Sequence, residues 1–237
     1  MKSTILVALM ALATPGLRGQ TAESILELHC KAIGGIEKWN KVTTIKMSGV
    51  CTYPGSEFTV TKTISTGRAM RIDNNFNGTK TFQVLTIHNG WVGFPYQGSD
   101  KVDTIREENA KLYWPEIDMK DNQLLTYTST GMKWEYAGTD TIESKPCYVI
   151  KYRDPHGHRY TSFFDTHTYY LLRTETTITT EDQDKEYFVS YGNYKEQNGI
   201  MLPTSIATPN GKTNYDKIEI NVPVDESFLK PLPPGTK

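Results

Sequence analysis

The chain has 237 residues, of which 37% are hydrophobic and 22% charged, and its formal net charge at pH 7 is −1. This composition predicts a globular protein with a sizeable core, and the length suits one all-β domain. A charge so close to zero, without long blocks of like charges, excludes the basic surface that binds nucleic acid or an acidic membrane.

The first segment, residues 1–19, is predicted to be a secretory signal peptide. Lys2 provides a positive charge, TILVALMALA provides a short apolar run, and small residues precede the expected cleavage before Gln20. The apolar run is too short to span a bilayer, and no later run is long enough. We therefore expect an exported protein that is not integral to the membrane, with a single domain over residues 20–237.

A helix is predicted next, in TAESILELHCKAIGG. Its apolar residues recur at helical spacing and share one face: Ile25, Leu28, Ala32 and Ile33. Thr21 or Ser24 can cap the start, Glu27 would complete a capping box with Ser24, and Gly34-Gly35 ends the helix. A short second helix is predicted in IEKWNKV.

Short runs of alternating apolar and polar residues fill most of the remaining chain. Turn signals such as Asn77-Gly78 and Asn89-Gly90 separate roughly eleven predicted strands. The predicted fold class is therefore mainly β (α+β), with one antiparallel sheet and helices on one side. A sheet of this size curls, splits or closes, and a curled sheet under helices encloses an apolar hollow that suits a hydrophobic ligand.

Residues 101–131 interrupt the strand pattern. Helix formers extend to Tyr113 after a potential cap at Asp103, Pro115 follows, and a second helical piece is predicted near residues 121–127. We expect this insertion to cover part of the sheet.

The stretch SYGNYKEQNGIMLPTSI, residues 190–206, predicts a β-hairpin that turns at Gln197-Asn198-Gly199. Pro203 has no N–H for a sheet ladder, which predicts an edge, a strand end or a bulge at this position. We interpret the hairpin as one rib of the sheet rather than as a site.

One stretch, DPHGHRYTSFFDTHT, contains the ligand types of a metal site at His156, His158, Asp165 and His167. The strand between His158 and Asp165 would span about 23 Å, so the two turns cannot share one metal ion. A metal-dependent hydrolase at the tip with His156 and His158 is a minor alternative. Because nucleophile and nucleotide-binding motifs are absent from the sequence, we predict no catalytic residue, no cofactor and no enzyme.

The three cysteines, Cys30, Cys51 and Cys147, match no metal-binding spacing. One disulfide is compatible with export. Two of the three lie in strand patterns, which favours small buried hydrophobic residues instead.

Large apolar side chains are the candidates for lining a ligand cavity. Aromatic cross-strand pairs can also simply stabilise a sheet, so the phase of each strand decides which residues face inwards. The candidate lining residues are Phe58, Met70, Phe82, Trp91, Phe94, Tyr113, Trp114 and Trp134.

A series of motifs runs in order along essentially the whole mature chain: KAIGGIEKWNKVTTIKMSG, GRAMRID, HNGWVGF, LLTYTSTGMKWEYAGTDTIESKPCYVIK, FFDTHTYYLLR, YGNYKEQNGIMLPTSI and IEINVPVDESFLKP. Together they resemble the LolA-like outer-membrane lipoprotein-sorting proteins, in their Bacteroidetes-type branch. The resemblance implies a curled, incomplete antiparallel β-barrel with helices covering its concave face. It also implies a periplasmic carrier that shelters lipoprotein acyl chains, or another lipid-like ligand, in an apolar cavity.

The same resemblance implies no catalytic residues, and an outer-membrane receptor could be a partner. Arg71 in RAMRID matches an arginine-bearing strand of this branch, and we hypothesise that it donates a hydrogen bond that latches the lid. The alternative function is a periplasmic lipid-sensing or regulatory binding module, since fold similarity does not fix function.

Overall fold

The computed structural model describes most of the chain after the predicted signal peptide, which lies outside the described residues. The described residues are 20–86, 88–93, 102–110, 117, 124–125, 127–129, 131–154, 157–179, 184–225 and 230. The helices within them are α1 Ala22–Ala32, α2 Ile36–Trp39 and α3 Glu107–Ala110. The strands are β1 Thr44–Tyr53, β2 Ser56–Ser65, β3 Ala69–Phe76, β4 Thr79–Thr86, β5 Gly90–Gly93, β6 Val102–Ile105, β7 Trp134–Ile142, β8 Lys145–Arg153, β9 Arg159–Asp165, β10 Leu171–Thr179, β11 Asp184–Gln197, β12 Ile200–Thr208 and β13 Gly211–Ile220. In this part of the chain, no helix is both long and apolar enough to cross a membrane.

The strands form one sheet in the order β6-β5-β4-β3-β2-β1-β13-β12-β11-β10-β9-β8-β7. The chain runs outwards from β1 to the edge at β6, crosses to the opposite edge at β7, and returns strand by strand to β13 beside β1. Every neighbouring pair is antiparallel. Among the described strands, the edges β6 and β7 do not pair, so the sheet is open. This architecture confirms the predicted mainly β fold.

The sheet has 13 strands, more than the roughly eleven predicted. One added strand, β6, lies where the sequence predicted a helix. Asp103, predicted to cap that helix, pairs with Val92 on β5 instead. Val102 and Ile105 are β-branched and favour the extended form, and α3 begins only at Glu107.

β12 and β13 separate along much of their length. Their ladder joins Ser205–Thr208 to residues 211–214, and Pro203 lies beyond it, next to the gap. Pro203 therefore lies within an inner strand, paired with Tyr194 of β11 and beside a gap in the β12–β13 ladder, rather than at the predicted edge, strand end or bulge. The β11–β12 hairpin is confirmed, because Asn198 and Gly199 both have positive φ, 53° and 75°, as a tight two-residue turn requires.

α1 begins with a capping box, but not the predicted one. The Ser24 N–H donates to the Thr21 hydroxyl at 3.2 Å, and the Thr21 N–H donates to the Ser24 hydroxyl at 3.1 Å. The predicted box of Ser24 with Glu27 is wrong because the helix starts at Ala22, one turn earlier than that box requires. Glu27 forms an exposed ion pair with Lys31 at 2.6 Å.

The cysteines do not form disulfides with one another. All three are free thiols; Cys30 and Cys147 are buried, and Cys51 is partly buried. The interpretation as small hydrophobic residues is therefore confirmed for Cys30 and Cys147.

Candidate ligand-binding site

The strand register divides the sheet into two faces. Residues directly opposite each other on antiparallel strands point to the same side of the sheet. Ile45 lies opposite Ile64, Ile64 lies opposite Met70, and Met70 lies opposite Leu85, so these four side chains are on one face. All four are almost completely buried. We call this face the inner face because the helices pack on it, and we call the opposite face the outer face.

α1 covers the inner face of β8, β9 and β10. Ile25 and Leu26 pack against Ile150 and Phe164, and none of these four side chains is exposed. The sequence predicts Leu28 on the buried face of α1, but Leu28 is only half-buried and Leu26 is buried instead. The helix therefore seals this part of the face with large apolar side chains.

His29 continues the buried stripe of α1. Its ring meets the ring of Phe164 edge-on, with 4.9 Å between the centroids, and its Nδ1 lies 2.8 Å from the carbonyl oxygen of Tyr169. Burial lowers the pKa of His29 to about 4, and the hydrogen bond to Tyr169 offsets only part of this shift. At neutral pH the uncharged imidazole donates its Nδ1–H to that carbonyl and ties α1 to the sheet.

The turn after α1 closes the gap between β12 and β13. The carbonyl oxygen of Ile33 accepts from the N–H of Met201 and from the indole N–H of buried Trp39, each at 3.1 Å. Gly34 approaches β12 so closely that a Cβ there would lie 2.5 Å from the carbonyl oxygen of Gly199. The chain itself therefore fills the gap, and Gly34 has no room for a side chain.

A covering segment, residues 106–133, connects the two edges of the sheet. Ala110 and Ile117 are fully buried within the aliphatic cluster around Met70. The N–H of Gly67, in the β2–β3 turn, donates to the carbonyl oxygen of Ile117 at 3.0 Å. These contacts confirm that the insertion covers part of the sheet.

The later part of the covering segment is held by side chains of α1 and β7. The Cys30 thiol donates to the carbonyl oxygen of Leu124 at 3.3 Å, and the Trp134 indole N–H donates to that of Tyr127 at 3.2 Å. Burial raises the pKa of Cys30 to about 11, so the thiol keeps its proton and remains a donor. Leu125, buried between these contacts, joins the core beneath β1 and β13.

Aromatic rings line the inner face near the β7 edge. The ring centroids of Trp134 and Tyr152 are 4.5 Å apart, and Tyr152 and Tyr160 stack at 4.9 Å. Burial raises the pKa of both tyrosines, so their hydroxyls stay uncharged. Tyr152 and Tyr160 are not among the predicted lining residues, although Ile150 and Tyr152 alternate in KPCYVIKYR and thus share a strand face.

Three of the predicted lining residues face inwards. Met70 packs with the covering segment, and Trp134 donates to it. Phe58 lies opposite Cys51 on the same face, half-buried near the β1–β2 turn. These three residues occupy separate parts of the inner face and do not form one cluster.

Phe82 and Trp91 lie on the outer face, which corrects the prediction that grouped them with Met70. Phe82 lies opposite Asp73, and Trp91 lies opposite Val84. Asp73 and Val84 point to the side of the sheet opposite to Met70, so Phe82 and Trp91 do as well. Three further candidates lie outside the described residues: Phe94, Tyr113 and Trp114.

Arg71, the hypothesised lid latch, also lies on the outer face, opposite to the covering segment. Its guanidinium forms an ion pair with Asp73 at 2.8 Å, and its Nη1 donates to the carbonyl oxygen of Lys230 at 2.7 Å. These contacts join Arg71 to Asp73 on its own strand and to Lys230 of the C-terminal segment, and the hypothesised latch on the lid stays a prediction.

The histidine-rich stretch lies as the strand geometry predicted. His158 precedes β9, whereas Asp165 ends it and His167 follows in the next turn. His156 is not among the described residues. Across the described positions, no three histidine, cysteine or acidic side chains come close enough together to hold a metal ion.

Two cavities are formed by described residues, and each is lined by charged and aromatic side chains together. The larger, of about 840 Å³, has Lys151, Arg159 and Glu175 in its lining. The smaller, of about 520 Å³, has Lys195 and Asp216 in its lining. The lining of the larger cavity also includes Tyr152 and Tyr160 of the inner face.

Comparison with known proteins shows similarity in structure but not in sequence. No family model matches the chain, and no curated protein is significantly similar to it in sequence. A LolA superfamily protein from Nitrosomonas europaea superimposes with a TM-score of 0.54 at 11% identity, over 90% of this chain and 99% of that one. A putative outer membrane lipoprotein-sorting protein domain from Vibrio parahaemolyticus gives 0.54 at 12% identity, over 87% and 97%.

A DUF1329 family protein from Desulfovibrio piger is similar to the same degree, with a TM-score of 0.53 at 10% identity over 88% of this chain and 97% of that one. At such identities the likeness shows the fold alone. The predicted LolA-like architecture, an incomplete antiparallel barrel with helices on its concave face, is thereby confirmed.

Proposed function

We propose that this protein is a periplasmic carrier that binds lipoprotein acyl chains, or another hydrophobic ligand, on the inner face of its sheet. One observation carries the proposal. The apolar inner face of an open sheet is covered by helices and a connecting segment rather than by a second sheet. A cover of this kind can separate from the sheet without breaking a strand ladder, which leaves the fold intact.

The free energy of burying apolar surface favours the replacement of the covering segment by an acyl chain on the inner face. Ile117 and Leu125 of the covering segment are buried against the sheet, and exposing each would cost roughly 1.5–3 kcal/mol. An acyl chain gains about 0.8 kcal/mol for each CH₂ that it buries. A chain of about a dozen methylenes therefore gains about 10 kcal/mol, which exceeds the roughly 3–6 kcal/mol for displacing both side chains, without any charged or metal contact.

The proposal includes location and cargo. Residues 1–19 are removed on export, the mature chain starts at Gln20, and the partner that accepts the cargo is an outer-membrane receptor. No catalytic step belongs to this proposal. N-terminal sequencing of protein recovered from the periplasm tests the cleavage site and the compartment together.

The binding proposal is tested with protein purified from its own periplasm. Native mass spectrometry should detect a retained hydrophobic ligand, and extraction should release it. After delipidation, a fluorescent fatty acid should bind and be displaced by unlabelled fatty acid. Failure of both measurements would overturn the proposal. Binding without transfer of lipoprotein to acceptor vesicles would favour the lipid-sensing module instead.

A further inference from the structure

The larger of the two cavities has its charged side chains on the outer face of the sheet. Lys151 and Arg153 lie on either side of inward-facing Tyr152 on β8, so both point to the outer face. Arg159 is directly opposite Arg153 on β9 and points the same way. All three cations line this cavity of about 840 Å³. The charged part of its wall is therefore on the side of the sheet opposite to the covering segment.

Three cations lie side by side at one end of this cavity. Arg153 and Arg159 are opposite each other across the β8–β9 ladder. Lys133 precedes β7 by one residue, and the register of β7 with β8 brings it beside Arg153. Like charges directly opposite each other on neighbouring strands are destabilising. A row of cations that lowers stability and lines a cavity indicates a ligand of the opposite charge.

Each of the two guanidinium groups is oriented by one contact. The Nη1 of Arg153 donates to the carbonyl oxygen of Gly157 at 3.0 Å, and the Nη2 of Arg159 donates to the Asp184 carboxylate at 2.5 Å. A guanidinium has five N–H donors in a planar fork, so one contact leaves most of its donors available. Both arginines are exposed. Two adjacent forks of this kind match the oxygens of a phosphate group.

The cavity also has three carboxylates in its lining, and each lies away from the arginine pair: Glu135, Glu175 and Glu186. Glu135 is opposite Lys151, which is a favourable cross-strand pair. Glu175 has its own partner, Arg173, at 3.6 Å. Glu186 lies two strands beyond Arg159, about 10 Å away at the usual strand spacing. The cation row stays positively charged, because its three cations face one carboxylate, that of Asp184.

We propose that the cation row of this outer-face cavity binds the phosphate group of a polar ligand. Arg153 and Arg159 donate to the phosphate oxygens as a pair of forks, and Lys133 adds a third positive charge. Phosphate groups occur both on soluble molecules and on lipid headgroups, and the same side chains recognise either. The site is on the face opposite to the one proposed for acyl chains, so it does not depend on the proposed carrier function.

Calorimetric titration of the full mature chain with inorganic pyrophosphate tests the site. Arg153→Ala and Arg159→Ala should each weaken binding about tenfold or more, because each removes charge-assisted hydrogen bonds. Lys217→Ala is the matched control, since it removes a cation that pairs with Glu219 at 3.0 Å on β13 and does not line the cavity. It should leave the affinity unchanged.

A variant with the opposite effect separates binding from a folding defect. Glu186→Gln removes a negative charge from the cavity lining, and it should tighten pyrophosphate binding about twofold or more, since the carboxylate repels the anion. A loss of folded protein cannot increase the affinity. Unchanged or weaker binding by Glu186→Gln would place the anion elsewhere and overturn the proposal.

Flotation with phosphatidylcholine vesicles that contain phosphatidic acid identifies the source of the phosphate. Vesicle binding that is lost in Arg153→Ala and Arg159→Ala would assign the phosphate to a lipid headgroup. Pyrophosphate binding without vesicle binding would assign it to a soluble ligand, and either result supports the site. Failure to bind both probes at low salt, or equal binding by the wild type and both arginine variants, would overturn it.

Discussion

Two regions of the sheet bury their inner faces by different means. In the first region, β2–β4, an aliphatic surface around Met70 meets Ala110 and Ile117 of the covering segment, and the N–H of Gly67 donates to the carbonyl oxygen of Ile117. In the second region, β8–β10, an aromatic surface meets a capped helix, α1. Under the proposed function, the second region stabilises the fold, whereas the first releases its cover to a ligand.

The largest effect is expected in the second region. Phe164→Ala removes a fully buried ring between α1 and the sheet, and it should lower the free energy of unfolding by about 3–5 kcal/mol. Phe188→Ala is the control, since this half-buried ring lies outside that cluster and contacts Arg173. Urea unfolding measures both variants. Equal losses would contradict the assigned role of α1.

Acid should weaken the same contact through His29. Its pKa falls from 6.5 to about 4 on folding, so the folded state binds fewer protons than the unfolded state between these values. Stability should be constant above about pH 7, fall by about 3 kcal/mol between pH 6.5 and 4, and lose nothing more from this group at lower pH.

His29→Gln should remove this part of the pH dependence, measured by urea unfolding at a series of pH values. His167→Gln is the control, because His167 is exposed in the turn after β9. A wild-type curve that stays flat from pH 7 to 4, or that His29→Gln leaves unchanged, would show that α1 does not depend on the neutral imidazole.

A moderate effect on ligand binding is expected in the first region. Met70→Ala shortens a buried side chain beneath the cover, and it should weaken fatty-acid binding by about 1–2 kcal/mol, roughly 5- to 30-fold. Trp91→Ala, on the outer face, should leave the affinity unchanged. Competition with a fluorescent fatty acid gives both dissociation constants. A larger loss for Trp91→Ala than for Met70→Ala would reverse the assignment of the faces.

The smallest effect is expected at the start of α1. Thr21→Ala removes the hydroxyl that accepts from the Ser24 N–H, and it should cost about 1 kcal/mol of stability with no change in ligand affinity. Thr52→Ala, at an exposed strand position, is the control. A loss of affinity in Thr21→Ala would mean that α1, and not only the covering segment, moves when ligand binds.

Local signals explain which features the sequence predicts correctly. Asn198-Gly199 specifies a tight turn, so the hairpin follows directly from residue chemistry. The short edge strand β6 did not follow, because four residues give too little alternation to outweigh the helix formers after them.

For a related reason, the sequence could not predict which residues of β4 face inwards. Its residues are buried on both faces, as Val84 and Leu85 show, so TFQVLT has no clear alternation to identify the inner side. Phe82 and Trp91 were therefore assigned to the wrong face. The partner of buried Arg71 was also unpredictable, since Lys230 is 159 residues away in the chain.

Photo-crosslinking tests the central claim most directly. A fatty acid with a diazirine near its methyl end is bound to the delipidated protein, irradiated, and its adducts are located by peptide mass spectrometry. The account predicts adducts on inner-face residues such as Ile64, Met70 and Leu85, and their loss when unlabelled fatty acid competes. Competable adducts confined to outer-face residues such as Phe82, Val84 and Trp91 would contradict it.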